Sequence, residues 1–499
     1  MAAQQHPIRR VVIVGGGTAG WMCAAAAAHM LDDGQRRITL VESDAIGIVG
    51  VGEATIPPIL AFNAMLGIDE REFIAATRAT FKLGIEFVDW GAVGARYMHP
   101  FGSLGRDLEG VSFHHFWLKH RGAPGIGSIF DYSMAAAAAR HNRFARPDPN
   151  PRSPLSQLGY AYHFDAGLYA SFLRRRAEGQ GVLRVEGRIA SVDRNTEIGF
   201  VKAVVLDDGR RIEGDLFIDC SGFRSLLLGG TMAVPYCDWS HWLPCDRAIA
   251  VPSARTDPVL PYTRSTARAA GWQWRIPLQH RTGNGHVYAS GYMEDDAAER
   301  LLMDNLDAPA TASPRRLSFT AGMRERMWEG NVVALGLAGG FLEPLESTSI
   351  HLIQFGIAKL LFLFPERRCS AVERAEYNRL MRSTFETVRD FIILHYKATE
   401  RGDTPFWRYV RDMEIPDSLA AKLALFREKG RVLRFEHDIF DVPNWVAVLL
   451  GQNVLPRGYD PVADSLDAKL VVETMQKLAA AYEAVARRLP PHEAAFQAR

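Results

Sequence analysis

Arg10–Val14 is a short apolar, β-branched run that stops at Gly15, the pattern of a buried parallel strand. The alanine-rich stretch 20–31 predicts a helix and 38–41 a second short strand, together a β-α-β unit. Residues 182–192 and 201–207 read as strands with a turn at Asp208-Gly209, and 215–219 as another. Residues 81–87 alternate strictly, with Phe81, Leu83, Ile85 and Phe87 on one face and Lys82, Gly84 and Glu86 on the other. Alone, that pattern predicts a half-buried strand with Lys82 solvated near Glu86. Residues 271–277 put Trp272 and Trp274 on one strand face, a rigid aromatic wall or ordinary core packing. Ala135–Ala139 marks tight helix packing, and the proline-rich 146–154 a linker or long surface loop. From about Ile350 helical periodicity dominates, with 384–396 a good amphipathic stretch. The order predicts an α/β body over 1–350 and a mainly helical module over 351–499.

Composition narrows the partner. The chain has 499 residues, and its 58 basic and 57 acidic side chains leave a formal charge of +1. Nothing there favours nucleic acid or an anionic membrane, so a small-molecule partner is expected. Five cysteines without a C-x-x-C pair read as reduced thiols of a cytoplasmic protein. Arg9-Arg10 before an apolar run imitates a secretion signal, but that run carries glycines in a phosphate-binding spacing. The apolar stretch 352–365 is too short to span a bilayer and contains Lys359. His114, His115 and His120 sit among aromatic residues with no matching ligand set, so no metal is expected.

Gly15-Gly16-Gly17-Thr18-Ala19-Gly20 matches G-x-G-x-x-G between a strand and a helix. Gly15 allows the tight turn, Gly17 admits the pyrophosphate, and Gly20 lets the helix lie on the strand. The helix N-terminus offers free N–H groups to phosphate, and Glu42 stands where an acid meets the adenosine ribose. A single such motif points to a nucleotide cofactor reduced by a separate reductase.

The remaining motifs carry a family resemblance. Gly271-Trp272-Gln273-Trp274-Arg275-Ile276-Pro277 looks like the W-x-W-x-I-P motif of the flavin-dependent tryptophan halogenases, and the chain resembles that family from its first strand to about Gly451. The resemblance implies a Rossmann-like FAD-binding body of the flavin monooxygenase type. In it Trp272, Trp274, Ile276 and Pro277 wall the flavin off from the organic substrate. Residues 81–87 resemble the segment carrying the catalytic lysine, here Lys82, whose amine hydrogen-bonds hypohalous acid or is itself halogenated. The second route wants Lys82 desolvated; the first works with the ammonium. The stretch 339–350 resembles the loop joining flavin and substrate sites. Glu346 would act beside the lysine, polarising the halogen donor, taking the ring proton or stabilising the cationic ring; helix capping is its structural alternative. The amides of Thr348 and Ser349 match the halide pocket. The family usually has glycine at the second position, so the Ser349 Cβ is expected to restrict the loop. Gly50, Val51 and Ala54 match the flavin-covering strap, Asp219–Gly222 a cofactor-facing strand end, and Val185, Leu337 and Ile350 flavin contacts. His99 and Phe101 match residues that sandwich the substrate ring, or form a packed turn.

The resemblance implies a two-component enzyme. FADH2 from a separate reductase, O2 and chloride or bromide give hypohalous acid, which travels through the interior to Lys82 and an electron-rich ring. Free tryptophan is gripped in the family by tyrosines and an acid; the comparable stretch 441–448 lacks a tyrosine pair, although Trp445 could stack on a ring. Indole or a larger indolic compound is therefore expected as readily as tryptophan, and a homodimer stays open. A flavoprotein hydroxylase of related fold and a non-catalytic flavin- or indole-binding sensor are the rival readings.

Overall fold

The computed structural model describes residues 6–45, 52–435 and 437–497. The β-α-β unit comprises strand Arg10–Val14, helix Thr18–Met30 and strand Arg37–Glu42. Its turn requires glycine: Gly15 has φ +108°, and a Cβ there would meet Cys220 O at 2.3 Å. A Cβ on Gly20 would meet Gly15 O at 1.9 Å and push the helix off the strand. These strands enter a six-stranded sheet in the order 328–329, 332–334, 216–219, 10–14, 37–42, 183–186. All neighbours in it are parallel except the first pair. This is the α/β body expected, with the glycine-rich turn at the carboxyl ends of the strands, where ligands of such sheets bind.

A seven-stranded sheet runs in the order 315–318, 247–254, 281–288, 271–277, 263–268, 84–88, 96–100. A small third sheet ties the two regions together: strand Ala161–Asp165 pairs with both Gly52–Ala54 and Thr80–Lys82. The segment beside the glycine-rich turn and the segment bearing Lys82 thus share one strand as neighbour.

Two expected strands are divided. Residues 182–192 split into Leu183–Glu186, in the six-stranded sheet, and Ile189–Arg194, in a separate one. At the break the Gly187 amide donates to Glu42 O at 2.9 Å. Residues 81–87 split at Leu83, whose amide donates to Pro261 O at 2.7 Å while its carbonyl accepts from Phe101 N at 2.8 Å. Layers pack on both faces here, so Phe81 through Ile85 are all buried despite the alternation. Lys82 is therefore not solvated, and Glu86 pairs with Arg264 at 2.7 Å instead.

From Ser349 onward the described elements are helical. Helix Ala371–Lys397 is buried on every side from Val388 to Tyr396. The alanine run lies fully buried in helix Met134–Arg140 against helix Ala468–Arg488, and 146–154 is a largely exposed loop. The main hydrophobic core extends from Ile8 to Phe496, with a second cluster on the other face of the parallel sheet around Val12, Val204 and Phe217 and a third around Ile249 and Tyr288. Among the described residues no helix is long and apolar enough to cross a membrane.

Candidate active site

A cavity of about 990 Å³ opens at the glycine-rich turn, at the top of the ~300–1,000 Å³ range of small-molecule sites. Gly15, Gly16, Gly17, Thr18 and Ala19 line one end of it. A Cβ on Gly17 would meet nothing within 4 Å, so the backbone there faces open space beside the helix N-terminus. Glu42 lies on the wall, its carboxylate held by Arg184 and leaning over Gly16. Arg174, Arg188 and Arg224 add positive charge. An amide-rich, basic end continuing into an apolar one fits the phosphates and ring system of FAD. Ala54, Leu337 and Ile350 line the cavity, whereas Val185 and Gly20 lie behind it. Gly50 and Val51 fall outside the described residues. Cys220, Ser221 and Gly222 face the space, but Asp219 is buried behind them, accepting from the amides of Ser221, Leu227 and Leu228.

Trp272, Trp274 and Ile276 form the far wall. Gly285 on the neighbouring strand makes room for it, since a Cβ there would sit 2.0 Å from the Trp274 ring. Pro277 is buried at the strand end, its carbonyl accepting from Thr80 Oγ1 at 2.7 Å. Trp272 Nε1 and the Tyr396 hydroxyl both donate to Glu343 Oε2, each at 2.6 Å. Burial outweighs these two donors and holds the Glu343 carboxyl up at about 7.

Lys82 is 0% exposed. Its Nζ donates to Thr55 O at 3.0 Å and Ser347 Oγ at 2.8 Å, and lies 5.2 Å from the centre of the Phe101 ring. Burial pushes the amine down to about 7, with Glu346 pulling partly the other way. Ser347 also lines the cavity. One residue thus borders both the cavity and the buried amine.

Glu346 is 1% exposed. Its Oε2 accepts from His99 Nδ1 at 2.8 Å, and His395 Nε2 lies 2.6 Å from Oε1 in a bent contact. His99 is fixed from its other side by Asn444, whose Oδ1 accepts from the Asp441 amide at 2.8 Å and whose Nδ2 faces His99 Nε2 at 2.9 Å. Burial favours a protonated Glu346, but the two histidines reverse that and bring its carboxyl down to about 2. Burial in turn lowers the His395 pKa.

Backbone geometry distributes these roles. Glu346 ends a 3-10 turn, Pro344–Glu346, and Ser347 takes a left-handed φ of +60°. Helix Ser349–Phe362 follows, and Glu346 does not cap it. Ser349 is its first residue and is not left-handed, so its Cβ does not restrict the loop as expected. The Thr348 and Ser349 amides stand at that helix N-terminus; Ser349 lines the cavity and Thr348 is buried beside it.

His99 has both ring nitrogens engaged, and Phe101 is buried under Lys82. Trp445 is packed in the core, with Lys422 Nζ 4.1 Å from its ring centre and Phe391 at its edge, 4.9 Å away. Sequence reasoning passed over His395, Tyr396, Asn444 and the Thr55 carbonyl. A polar pair inside the amphipathic stretch 384–396 was the available signal; the others had none.

Comparison with known proteins gives the family. The tryptophan halogenase family model matches residues 10–468. The chain is 36% identical over 479 residues to tryptophan 6-halogenase SttH of Streptomyces toxytricini, covering 89% of this chain and 90% of that protein. It is 36% identical over 440 residues to tryptophan 7-halogenase RebH of Lentzea aerocolonigenes, covering 84% of this chain and 82% of that one. Among solved structures, Xcc4156, a flavin-dependent halogenase from Xanthomonas campestris, superposes with a TM-score of 0.94 at 51% identity over 97% of each chain. BrvH, a flavin-dependent halogenase from Brevundimonas sp. BAL3, does so with a TM-score of 0.94 at 46% identity over 97% of this chain and 98% of that one. The chain belongs to the tryptophan halogenase family: it is a flavin-dependent halogenase, an enzyme that uses FADH2, O2 and halide, relies on a separate flavin reductase and acts on a small aromatic substrate.

Proposed function

We propose that this enzyme halogenates indole or a simple indolic compound, with the neutral amine of Lys82 carrying the halogen. FADH2 bound in the cavity would, with O2 and halide, supply hypohalous acid, and the Thr348 and Ser349 amides would hold the halide. Ser347 stands between that cavity and Lys82, and this single contact carries the reading. A neutral amine has two N–H groups, which Thr55 O and Ser347 Oγ accept, leaving its lone pair without a partner. That lone pair attacks the halogen: an N–halogen bond forms, the O–halogen bond breaks, and the displaced oxygen leaves as water with one amine proton. The ring carbon then takes the halogen from nitrogen and the ring proton ends on the amine, restoring Lys82.

Glu346, held by two histidines and ionised from about pH 2 upward, is too weak a base to lead proton removal. It stabilises the positive charge that develops on the ring. His99 orients that carboxylate, and Trp272, Trp274 and Ile276 keep the ring away from the flavin.

The stretch 441–448 supports a substrate without an amino-acid head. Asp441 pairs with Arg434 at 2.7 Å, Asn444 is engaged with His99, and Trp445 is buried. A cytoplasmic setting and diffusive delivery of FADH2 complete the reading. The test is mass spectrometry of indole and tryptophan reactions with a flavin reductase and chloride or bromide. Wild type is expected to yield halogenated indole in preference to halogenated tryptophan, and Lys82→Ala to yield neither; undiminished product from the variant overturns the reading.

A further inference from the structure

The loop from Gly339 to Ser349 has two sides. Gly340, Phe341, Leu342, Pro344 and Ser347 line the cavity, whereas Glu343 and Glu346 do not and are each 1% exposed. Two consecutive residues of helix Ala371–Lys397 meet these acids. Tyr396 donates to Glu343 Oε2 at 2.6 Å, and His395 Nε2 lies 2.6 Å from Glu346 Oε1. Neighbouring helix residues point about 100° apart, so the loop is gripped at two separate points. Glu343 does more than anchor the loop. The same Oε2 accepts from Trp272 Nε1 at 2.6 Å, while Oε1 has no hydrogen-bond partner among the described residues. A buried carboxyl with one oxygen unmatched is a costly way to fill a core. Its effect is to fasten helix, loop and the indole of the partition to one atom.

We propose that Glu343 and Tyr396 are positioning residues for halogenation: they hold the Trp272 indole in the wall, so that oxidant leaves the cavity by way of Ser347 and Lys82. The proposal rests on the halogenase reading above. The groups around Glu343 are Trp272 from strand 271–277, Tyr396 from the helix and Cys245, whose Sγ is 3.6 Å from the Tyr396 hydroxyl and which precedes Asp246. Burial drives Tyr396 and Cys245 far above their ordinary values, which leaves the Glu343 carboxyl, held up at about 7, to ionise near neutrality.

The test compares wild type, Glu343→Gln, Glu343→Ala, Tyr396→Phe and Trp272→Phe. In the cofactor-free protein, tryptophan fluorescence titrated across neutrality is expected to show a transition near pH 7 that is smaller in Glu343→Gln and in Trp272→Phe than in wild type, the remainder coming from Lys82 and Glu53. In turnover, halogenated indole per FADH2 oxidised is expected to fall about tenfold in Tyr396→Phe, the scale of one lost buried hydrogen bond, and further in Glu343→Ala, which loses two. The missing oxidant is recovered as free hypohalous acid where halide has been oxidised, and as hydrogen peroxide where it has not. Glu343→Gln, whose amide oxygen still accepts both hydrogen bonds, is expected to stay within about threefold of wild type. Should Glu343→Ala fail to fold, the milder Tyr396→Phe decides. A folded Tyr396→Phe with wild-type product yield, or a fluorescence transition no smaller in Glu343→Gln than in wild type, overturns the proposal. A wild type that halogenates nothing overturns the halogenase reading instead, and the cofactor-free titration still decides the role of Glu343.

Discussion

Lys82 carries the sharpest consequence of burial. Its amine ionises at about 7 in the folded protein against an ordinary 10.5, because the ammonium has exchanged water for two acceptors and an aromatic face. Between those values the unfolded chain holds a proton that the folded chain lacks, so this residue's contribution to stability rises with pH across that window. Lys82→Met is accordingly expected to raise the melting temperature most at and below neutral pH, with the gain shrinking toward pH 10. The difference is on the order of a few kcal/mol. An equal gain at every pH in thermal melts would show the amine to be charged throughout. The same group sets the rate profile: halogenation should climb as pH passes about 7, where the neutral amine appears. Glu346 sets no limb there, because its carboxylate is already ionised above about 2. Replacing it with glutamine is expected to slow turnover by ~100-fold, the scale of one electrostatic stabiliser, and to move the limb to lower pH, because the carboxylate raises the Lys82 amine. A limb abolished by the substitution would make Glu346 the titrating base.

At the scale of elements, the turn into helix Ser349–Phe362 separates two effects that sequence ran together. Serine in the family's usual glycine position looked like a backbone constraint, yet the left-handed residue is Ser347 and Ser349 is ordinary helix. Ser349→Ala and Ser349→Gly should therefore share one chloride-to-bromide ratio in competition assays, since neither has the hydroxyl and the Cβ is unstrained; two different ratios would restore the backbone argument. Gly285 is the opposite case. Its Cβ would overlap the Trp274 ring, so Gly285→Ala is expected to cost about 1–3 kcal/mol in denaturant melts and to perturb indole fluorescence. Legibility followed the same division. The glycine-rich turn and the alternating tryptophans could be read because each depends on near neighbours in the chain. The alternation at 81–87 misled because a strand covered on both faces places no side chain in water, whichever way it points. The clamp on Glu346 could not be read at all: His99 and His395 reach it from a strand and a helix far apart in sequence, and Asn444 holds His99 from another helix.

The whole molecule arranges its main apolar core so that two kinds of site share a wall. The parallel sheet presents its glycine-rich turn to the cavity, the seven-stranded sheet supplies the tryptophans, and strand Ala161–Asp165 joins the neighbourhood of the turn to the lysine. Helix Ala371–Lys397 closes the back of both. The fold class and the family were readable in sequence because the nucleotide turn and the tryptophan strand are local; the distance from cavity to amine, one serine residue, is a property of the packing. The account stands on the claim that the halogen resides on Lys82 before it reaches a ring. Peptide mass mapping of enzyme given FADH2, O2 and bromide, without aromatic substrate, tests this directly. One bromine replacing one hydrogen on the Lys82 peptide, discharged when indole is added, is the predicted result; brominated indole from enzyme whose Lys82 never carries bromine would contradict it.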